Sequence, residues 1–446
     1  MRGGGAELAG GGGLRRAMGL RHAVAMVVGT IIGASIFVQP SEITGRVPSI
    51  AGVFAVWGVA GVLTLFGSLV CAELASALPR SGGVYVFLRE SYGELAGFLW
   101  GWAMFWTMHT GIIAAVSVVF ARYTAYFAPL GDAGTKLVAI GVVIVLSAVN
   151  YRGVRGGASL QAAITAGKLV AIALIIVAGF ALGARVQAEP VATPLPGATP
   201  SGFLLALVAG LFAYGGWHMV TYTADETVEP ERTLPRALIL GVVIVTFSYM
   251  ALNAVYLYVL PLHTVATSTR IAADAADAVL GRGGGTFMSG LVMFSTFGAL
   301  SGIVLSGPRV YWAMARDGLA FAWLARTHER YRTPHIAIIA QAVWACVLVA
   351  TGTYRVLFTR VVYTEWIFFG LMALGLIRLR RRSGPSGAWR VPGYPFVPLA
   401  FAAAAFAIVA NQVAAEPRES LMGLAFVVAG APIYLFWARN KAVKGS

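Results

Sequence analysis

Charge is what this chain has least of. Asp, Glu, Lys and Arg make up 11% of its 446 residues, against about 25% in a soluble globular domain. A surface built for water is therefore excluded. Cysteine is almost missing: Cys71 and Cys346 are the only two. They are too few for a disulfide framework, and each falls within an apolar run, where it reads as a small hydrophobe. There is no metal-ligand spacing, phosphate-binding loop or nucleophile elbow. No metal, cofactor or catalytic residue is expected, and the Ser, His and acidic residues are scattered without pattern. Residues 1–21 begin with the glycine-rich stretch Met1 to Gly13. They lack the apolar core of a signal peptide and are read as a disordered cytoplasmic tail.

Hydrophobic runs fill the space that charge leaves. Hydrophobic residues reach 58%, and the mean hydropathy is +0.78. Segments of about 20 apolar residues, the length that crosses a bilayer, recur twelve times. They lie near 22–45, 51–78, 96–128, 136–150, 160–184, 202–228, 235–260, 286–314, 335–352, 357–379, 396–413 and 420–438. The pattern predicts an all-α polytopic membrane protein with twelve transmembrane helices and no soluble domain.

The net charge of +15 does not indicate nucleic acid, because of where the cations lie. With the N-terminus inside, 22 of the 33 Lys and Arg fall on the inner side and 8 in outer loops. The outer ones are Arg46, Lys136, Arg185, Arg270, Arg282, Arg355, Arg360 and Arg418; Arg122, Lys168 and Arg309 lie within segments. This positive-inside bias places both termini in the cytoplasm of a cell membrane. The run Arg378-Leu379-Arg380-Arg381-Arg382 reads as an anchor on anionic headgroups. The lipid bilayer is thus an expected partner, and nucleic acid is not. Between segments, 79–95 reads as an inner loop and Leu319 to Leu324 as an interfacial helix. The long outer segments are 185–201 and 262–285, the latter with a short amphipathic helix over Ile271–Leu280. Trp100, Trp102 and Trp106 read as an interfacial belt.

Two segments are interrupted in matching ways. The first contains Gly29-Thr30-Ile31-Ile32-Gly33-Ala34-Ser35-Ile36, and the sixth contains Phe212-Ala213-Tyr214-Gly215-Gly216-Trp217. The interruptions are 181 positions apart, from Gly33 to Tyr214. Unwound backbone is tolerated at membrane depth only where it is buried in protein or lines a cavity. A pair of broken helices in two halves of a chain marks the binding site of a transporter. The other reading is that these glycines serve close helix packing. A broken helix presents free N–H groups at one new end and free carbonyls at the other. A zwitterion suits both. The N–H groups of Ala34, Ser35 and Ile36 are candidates for a carboxylate, and the carbonyls near Ile31, Ile32, Phe212 and Ala213 for an ammonium.

These residues resemble the L-type amino acid transporters of the amino acid–polyamine–organocation superfamily. The first segment is similar to the signature Gly-Thr-Ile-Ile-Gly-Ser-Gly-Ile-Phe-Val. The sixth, with Glu226 and Glu229-Pro230-Glu231-Arg232-Thr233-Leu234-Pro235-Arg236-Ala237 after it, resembles the family almost residue by residue. Cys71-Ala72-Glu73-Leu74 with Ser81-Gly82-Gly83, and Ala166-Gly167-Lys168-Leu169, fit more weakly. The resemblance covers about 20–395 and identifies the chain as a prokaryotic member. It implies a LeuT-type inverted repeat of five plus five helices, over 22–184 and 202–382, separated by the extracellular loop 185–201. Helices eleven and twelve, in 383–446, are peripheral. It also implies exchange of amino acids by alternating access, with Ile31, Ile32, Gly33, Ala34, Ser35, Ile36, Phe212, Ala213, Tyr214, Gly215 and Trp217 around the substrate and Phe212 closing over it. Two positions depart from the pattern: Gly33-Ala34-Ser35 stands for Gly-Ser-Gly, and His218 stands where the family often has Asn. Eukaryotic members hold a glycoprotein partner through an outer-loop cysteine. The segment 127–136 has none, so no disulfide-linked heavy subunit is expected.

Lys168 lies deep in an apolar run, where charge is expensive and functional by default; Glu365, His109 and His218 also fall within predicted helices. Lys168 occupies, in family terms, the place where sodium-coupled relatives bind their ion; otherwise it snorkels to the cytoplasmic face. Glu365 has three readings: it recognises a basic side chain, takes up a proton, or sits at the outer mouth beside Arg360. His109 and His218 either carry protons or hydrogen-bond across helices. The sum is a sodium-independent exchanger of neutral L-amino acids. The alternative is a proton-coupled importer of cationic amino acids or polyamines using Glu365. An intramembrane enzyme would need convergent titratable groups, and a solute sensor an appended signalling domain.

Overall fold

A backbone in lipid has to satisfy its own hydrogen bonds, and a helix does so within one segment. The computed structural model accordingly contains helices and no strand among the residues it describes, which are 14–124, 127–183, 199–281, 283–352, 354–384 and 387–444, with side chains described except at 154–155, 354–362 and 438–444. Met1 to Gly13, most of the expected outer loop 185–201 and the side chain of Arg360 lie outside these residues. The main helices are α1 (Leu20–Ile31), α2 (Ile50–Ala77), α3 (Glu94–Thr124), α4 (Asp132–Tyr151), α5 (Val154–Leu182), α6 (Pro200–Ala213), α7 (Pro230–Val259), α8 (Gly284–Arg316), α9 (His335–Thr351), α10 (Tyr354–Ser383), α11 (Phe396–Ala415) and α12 (Pro417–Trp437). Among the described residues ten segments are long and apolar enough to cross a membrane, α1 and α6 being counted with their continuations to Phe37 and Glu226; α9 is a shorter apolar helix of 17 residues.

Local chemistry sets several helix starts. The Ser49 hydroxyl accepts the N–H of Gly52 at 3.0 Å ahead of α2. Thr199 does the same for Gly202 at 2.9 Å, with Pro200 in the first turn of α6. Each cap satisfies an N–H that the helix cannot.

Burial sorts the helices into two shells. The span in α8 is 78% buried, and those of α1, α3 and α6 are each 61% buried, whereas α4 and α5 are at 28% and α12 at 22%. The outer helices turn Leu137, Val170, Leu174, Val177 and Phe247 outward, a surface suited to lipid and not to water. The two interrupted helices therefore stand in the inner shell with α3 and α8. Within α3, Met104–Met108 is a π-helical stretch, a distortion common at functional sites.

Three expectations are corrected. Residues 79–95 are not merely a loop: Val84–Tyr92 is a helix with Val84 to Leu88 buried. It begins after Gly82 and Gly83, both at positive φ. Trp100 does not belong to an interfacial belt; it is fully buried and meets Phe368 and His218 edge-on. Leu319 to Leu324 form no amphipathic helix, only a 3-10 turn at Ala322–Ala325 beside exposed, stacked Phe321 and Trp323. The expected short helix over Ile271–Leu280 is present.

The two ends of the bundle are held differently. At the end bearing the N-terminal segment, Glu226 receives a bidentate pair of bonds from Arg309 at 2.7 and 2.8 Å, with both side chains fully buried. The Glu226 carbonyl also accepts the N–H groups of Ala17 and Met18 at 2.9 Å. Asp317 takes bonds from Arg89 and Tyr85. Glu73 on α2 takes a bidentate pair from Arg380 on α10 and one from the Val391 N–H at 2.7 Å. At the other end the ion pairs among the described residues are local, Arg46 with Glu42 and Arg270 with Asp274.

Candidate functional site

α1 leaves helical geometry at Ile32, where ψ is 89°, and resumes as a 3-10 turn over Ser35–Phe37. α6 stops at Ala213. Gly216 then adopts φ +100°, and a 3-10 segment carries on over Trp217–Glu226. That φ is open to glycine and strained for a side chain. A Cβ at Gly216 would also lie 3.3 Å from Thr30, so the two interruptions touch each other.

On the carbonyl side, protein donors already occupy the helix ends. The Lys168 ammonium, on α5, donates to Ile32 O at 2.6 Å and Gly29 O at 3.1 Å. Lys168 is 1% exposed and has no carboxylate partner among the described residues, so these carbonyls supply its compensation. The Ser295 hydroxyl on α8 stands 3.3 Å from Gly33 O and 3.4 Å from Ile32 O. The Tyr249 hydroxyl on α7 lies 3.0 Å from both Ile31 O and Ala213 O, so its one proton bridges the two broken helices. Thr30 Oγ1 reaches Gly216 O at 3.2 Å while bonding Met26 O at 2.7 Å.

The N–H side is different. The backbone N–H groups of Ala34, Ser35 and Ile36 find no acceptor among the described residues, and neither do those of Gly216, Trp217 and His218. Each resumed segment thus begins with three free donors, the arrangement that attracts an anion. Ala34, Ser35 and Phe212 are half-buried and Gly215 is exposed, although Ile31, Ile32, Gly33, Ile36, Ala213, Tyr214 and Trp217 around them are buried. Accessible surface in the middle of the inner shell means the interruptions border a space.

Beyond that space lies a second polar group. His218 Nε2 is 3.5 Å from Glu365 Oε1 on α10. His218 is 1% exposed, and the Glu365 side chain keeps 14% of its surface. The contact does not have hydrogen-bond geometry, and both ring nitrogens of His218 lack a bonded partner. Rings of Trp100, Trp217, Tyr222 and Phe369 surround the imidazole, with centroids at 4.8–6.1 Å. His109 stands apart from this pair in its bonding, with Nε2 on Ile303 O at 2.8 Å.

The structure therefore gathers the sequence candidates into two neighbouring groups: the interruptions with Lys168, and His218 with Glu365. Sequence reasoning overlooked Tyr249, Thr30 and Gly298. Gly298 matters by its smallness, since a Cβ there would meet Lys168 Cε at 2.7 Å. A cavity of about 720 Å³ opens elsewhere, between α4 and α9 around Ile144, Ala342 and Cys346, and contains none of these residues.

The family model described as "Amino acid permease" matches residues 18–434. The chain is 33% identical to the "Serine/threonine exchanger SteT" of Bacillus subtilis over 434 residues, covering 96% of this chain and 98% of that one. It is 30% identical to the "Large neutral amino acids transporter small subunit 2" of Homo sapiens over 451 residues, covering 96% and 82%. It is also 30% identical to the human "b(0,+)-type amino acid transporter 1", covering 96% and 89%.

Proposed function

The chain belongs to the amino acid permease family, and from that premise we propose that it exchanges neutral L-amino acids across the plasma membrane by alternating access, without sodium. It is a multi-pass membrane transporter, not an enzyme. The observation that carries the substrate reading is the pairing at the first interruption of three unbonded N–H groups with carbonyls held by side chains. The α-carboxylate of an amino acid sits on the N–H groups of Ala34, Ser35 and Ile36. Its ammonium meets the carbonyl end near Ala213, whose oxygen accepts the Tyr249 hydroxyl and, among the described residues, keeps a second lone pair; Ile31 O already accepts both the Gly33 N–H and the Tyr249 hydroxyl. Neither end needs a protein ion pair, so the same cradle takes any neutral side chain.

Sodium independence rests on Lys168. Its ammonium lies on Gly29 O and Ile32 O, beside the Ser295 hydroxyl, and supplies as a fixed charge what a bound sodium ion would bring. Phe212 is the gate ring over the substrate. The finer architecture is twelve spans, with α1–α5 and α6–α10 as inverted repeats, α11 and α12 peripheral and both termini cytoplasmic. The 22 to 8 cation bias supports that orientation, and the stronger ties at the end bearing the N-terminal segment then close the cytoplasmic side. No disulfide-linked heavy subunit is involved, in keeping with the absence of cysteine from 127–136.

Counterflow in proteoliposomes tests this. Labelled serine or leucine should enter vesicles preloaded with an unlabelled neutral amino acid far faster than empty ones, equally in sodium and choline. Equal entry into loaded and empty vesicles would refute exchange.

A further inference from the structure

His218 and Glu365 are 147 positions apart in sequence, yet they meet across the resumed half of the sixth span and α10. Three features set the pair apart from the other buried ionisable groups. Glu226 is fully bonded to Arg309, Glu73 to Arg380 and Val391, and Lys168 to two carbonyls. Among the described residues His218 and Glu365 have only each other, at 3.5 Å and without hydrogen-bond geometry. His109 on α3 stands near His218 and Tyr222, on the same segment, near Glu365; Tyr222 in turn neighbours Cys71 on α2 and Tyr311 on α8. None of these is a lysine or arginine, so no described side chain supplies Glu365 with a compensating cation; the Arg360 side chain, on the same helix, lies outside the described residues. Glu365 also retains accessible surface, while the N–H groups of Gly216, Trp217 and His218 begin the same segment.

We propose that His218 and Glu365 hold one exchangeable proton between them, and that this proton selects the side chain the adjacent site accepts. With the proton bound, the pair is neutral overall and neutral side chains enter. With it released to water, an uncompensated carboxylate remains, and a cationic side chain takes the proton's place. Charge balances: one positive charge leaves with the proton and one arrives with the substrate. A buried lone carboxylate is costly, so one of the two cations is always present. This inference rests on the exchange reading above and adds to it a pH-dependent choice of substrate.

The test is counterflow of labelled L-leucine and L-lysine in proteoliposomes, at equal pH on both sides, from pH 5.5 to 8.5. In the wild type the lysine-to-leucine ratio should rise with pH by up to about tenfold per unit through the transition, as one-proton linkage requires. Glu365→Gln, an uncharged mimic of the protonated acid, should keep leucine exchange measurable and hold the ratio low and flat. His218→Gln removes the second seat of the proton and should move the transition to lower pH. A flat ratio in the wild type, a slope surviving in Glu365→Gln, or loss of leucine exchange in a well-folded Glu365→Gln protein would each overturn the proposal. Absence of any amino acid exchange by the wild type would instead defeat the exchange reading itself.

Discussion

The two helix interruptions are built to different standards of completeness. At the first, four carbonyls at the break are held by side chains: Gly29 and Ile32 by Lys168, Gly33 by Ser295, Ile31 by Tyr249. At the second, Ala213 shares Tyr249 and Gly216 has Thr30, while Gly215 is exposed and the segment beyond runs into the poorly bonded His218. A polar group bonded in advance is rigid; one left short of partners stays available to a ligand. The first interruption therefore acts as a fixed cradle for the invariant ends of a substrate. The second is the adaptable wall that faces what varies.

The largest effect should come from filling the fixed cradle. In Gly33→Leu a Cβ at 3.3 Å from Ala299 already meets its neighbour, and the remaining side chain has to enter the space below the free N–H groups. Exchange should fall to background with expression and membrane insertion intact. Gly215→Leu should also abolish exchange, but its Cβ meets only Phe212 O, at 3.1 Å, so the folded protein should be the more stable of the two. Thermal unfolding in detergent beside counterflow reads both. Normal substrate affinity in Gly33→Leu would remove the first interruption from the site.

Next comes Lys168→Ala. Two carbonyls lose a charged donor, worth about 1.5–3 kcal/mol for such a bond, so exchange should slow by roughly ten- to a hundredfold. Gly298→Ala reaches the same ammonium indirectly, by pressing on its Cε at 2.7 Å, and should give a smaller loss in the same direction. If Lys168→Ala exchanges normally, the first interruption is not fixed by its carbonyls, and the contrast between the two breaks disappears.

How much of this was legible beforehand differs by residue, for physical reasons. The interruptions show in sequence because glycine pairs inside a membrane-length run have few other uses. Lys168 shows because a lysine in such a run needs a partner. Tyr249 does not: its run also contains Tyr256 and Tyr258, and nothing local distinguishes the hydroxyl that reaches two carbonyls from those that do not. The helix Val84–Tyr92 was hidden by the turn signal Arg80-Ser81-Gly82-Gly83, which is real but lasts four residues. Trp100 sits among tryptophans spaced like an interfacial belt, and its burial depends on α10, which the local sequence does not contain. His218 and Glu365 were each singled out as buried ionisable residues, but their contact is a tertiary fact.

A moderate effect is expected from Tyr249→Phe. The substitution keeps the ring, which packs against Trp57 and Tyr214 at 5.4 and 5.1 Å, and deletes only the hydroxyl between Ile31 O and Ala213 O. One neutral hydrogen bond is worth about 1 kcal/mol, so exchange should slow several-fold with little change in stability. Because the hydroxyl bonds a carbonyl of each interruption, the loss should appear in the maximal rate more than in apparent affinity. A change in affinity alone would make Tyr249 part of the fixed cradle instead of a link between the two breaks.

The smallest effect should come from exchanging sodium for choline, which should leave initial rates equal. The reason is positional. A sodium ion needs several oxygen ligands at short range, and here the oxygens of Gly29 and Ile32 already face an ammonium at 3.1 and 2.6 Å. A cation added beside that charge would be repelled in a buried setting, where screening is weak. Lys168→Ala turns the expectation around. With the ammonium gone, the Ile32 and Gly33 carbonyls and the Ser295 hydroxyl remain as an oxygen-rich pocket, and sodium should restore part of the lost rate in the variant while doing nothing for the wild type. Sodium stimulation of the wild type would mean that the charge on Lys168 does not substitute for the ion. The first interruption would then be no more complete than the second.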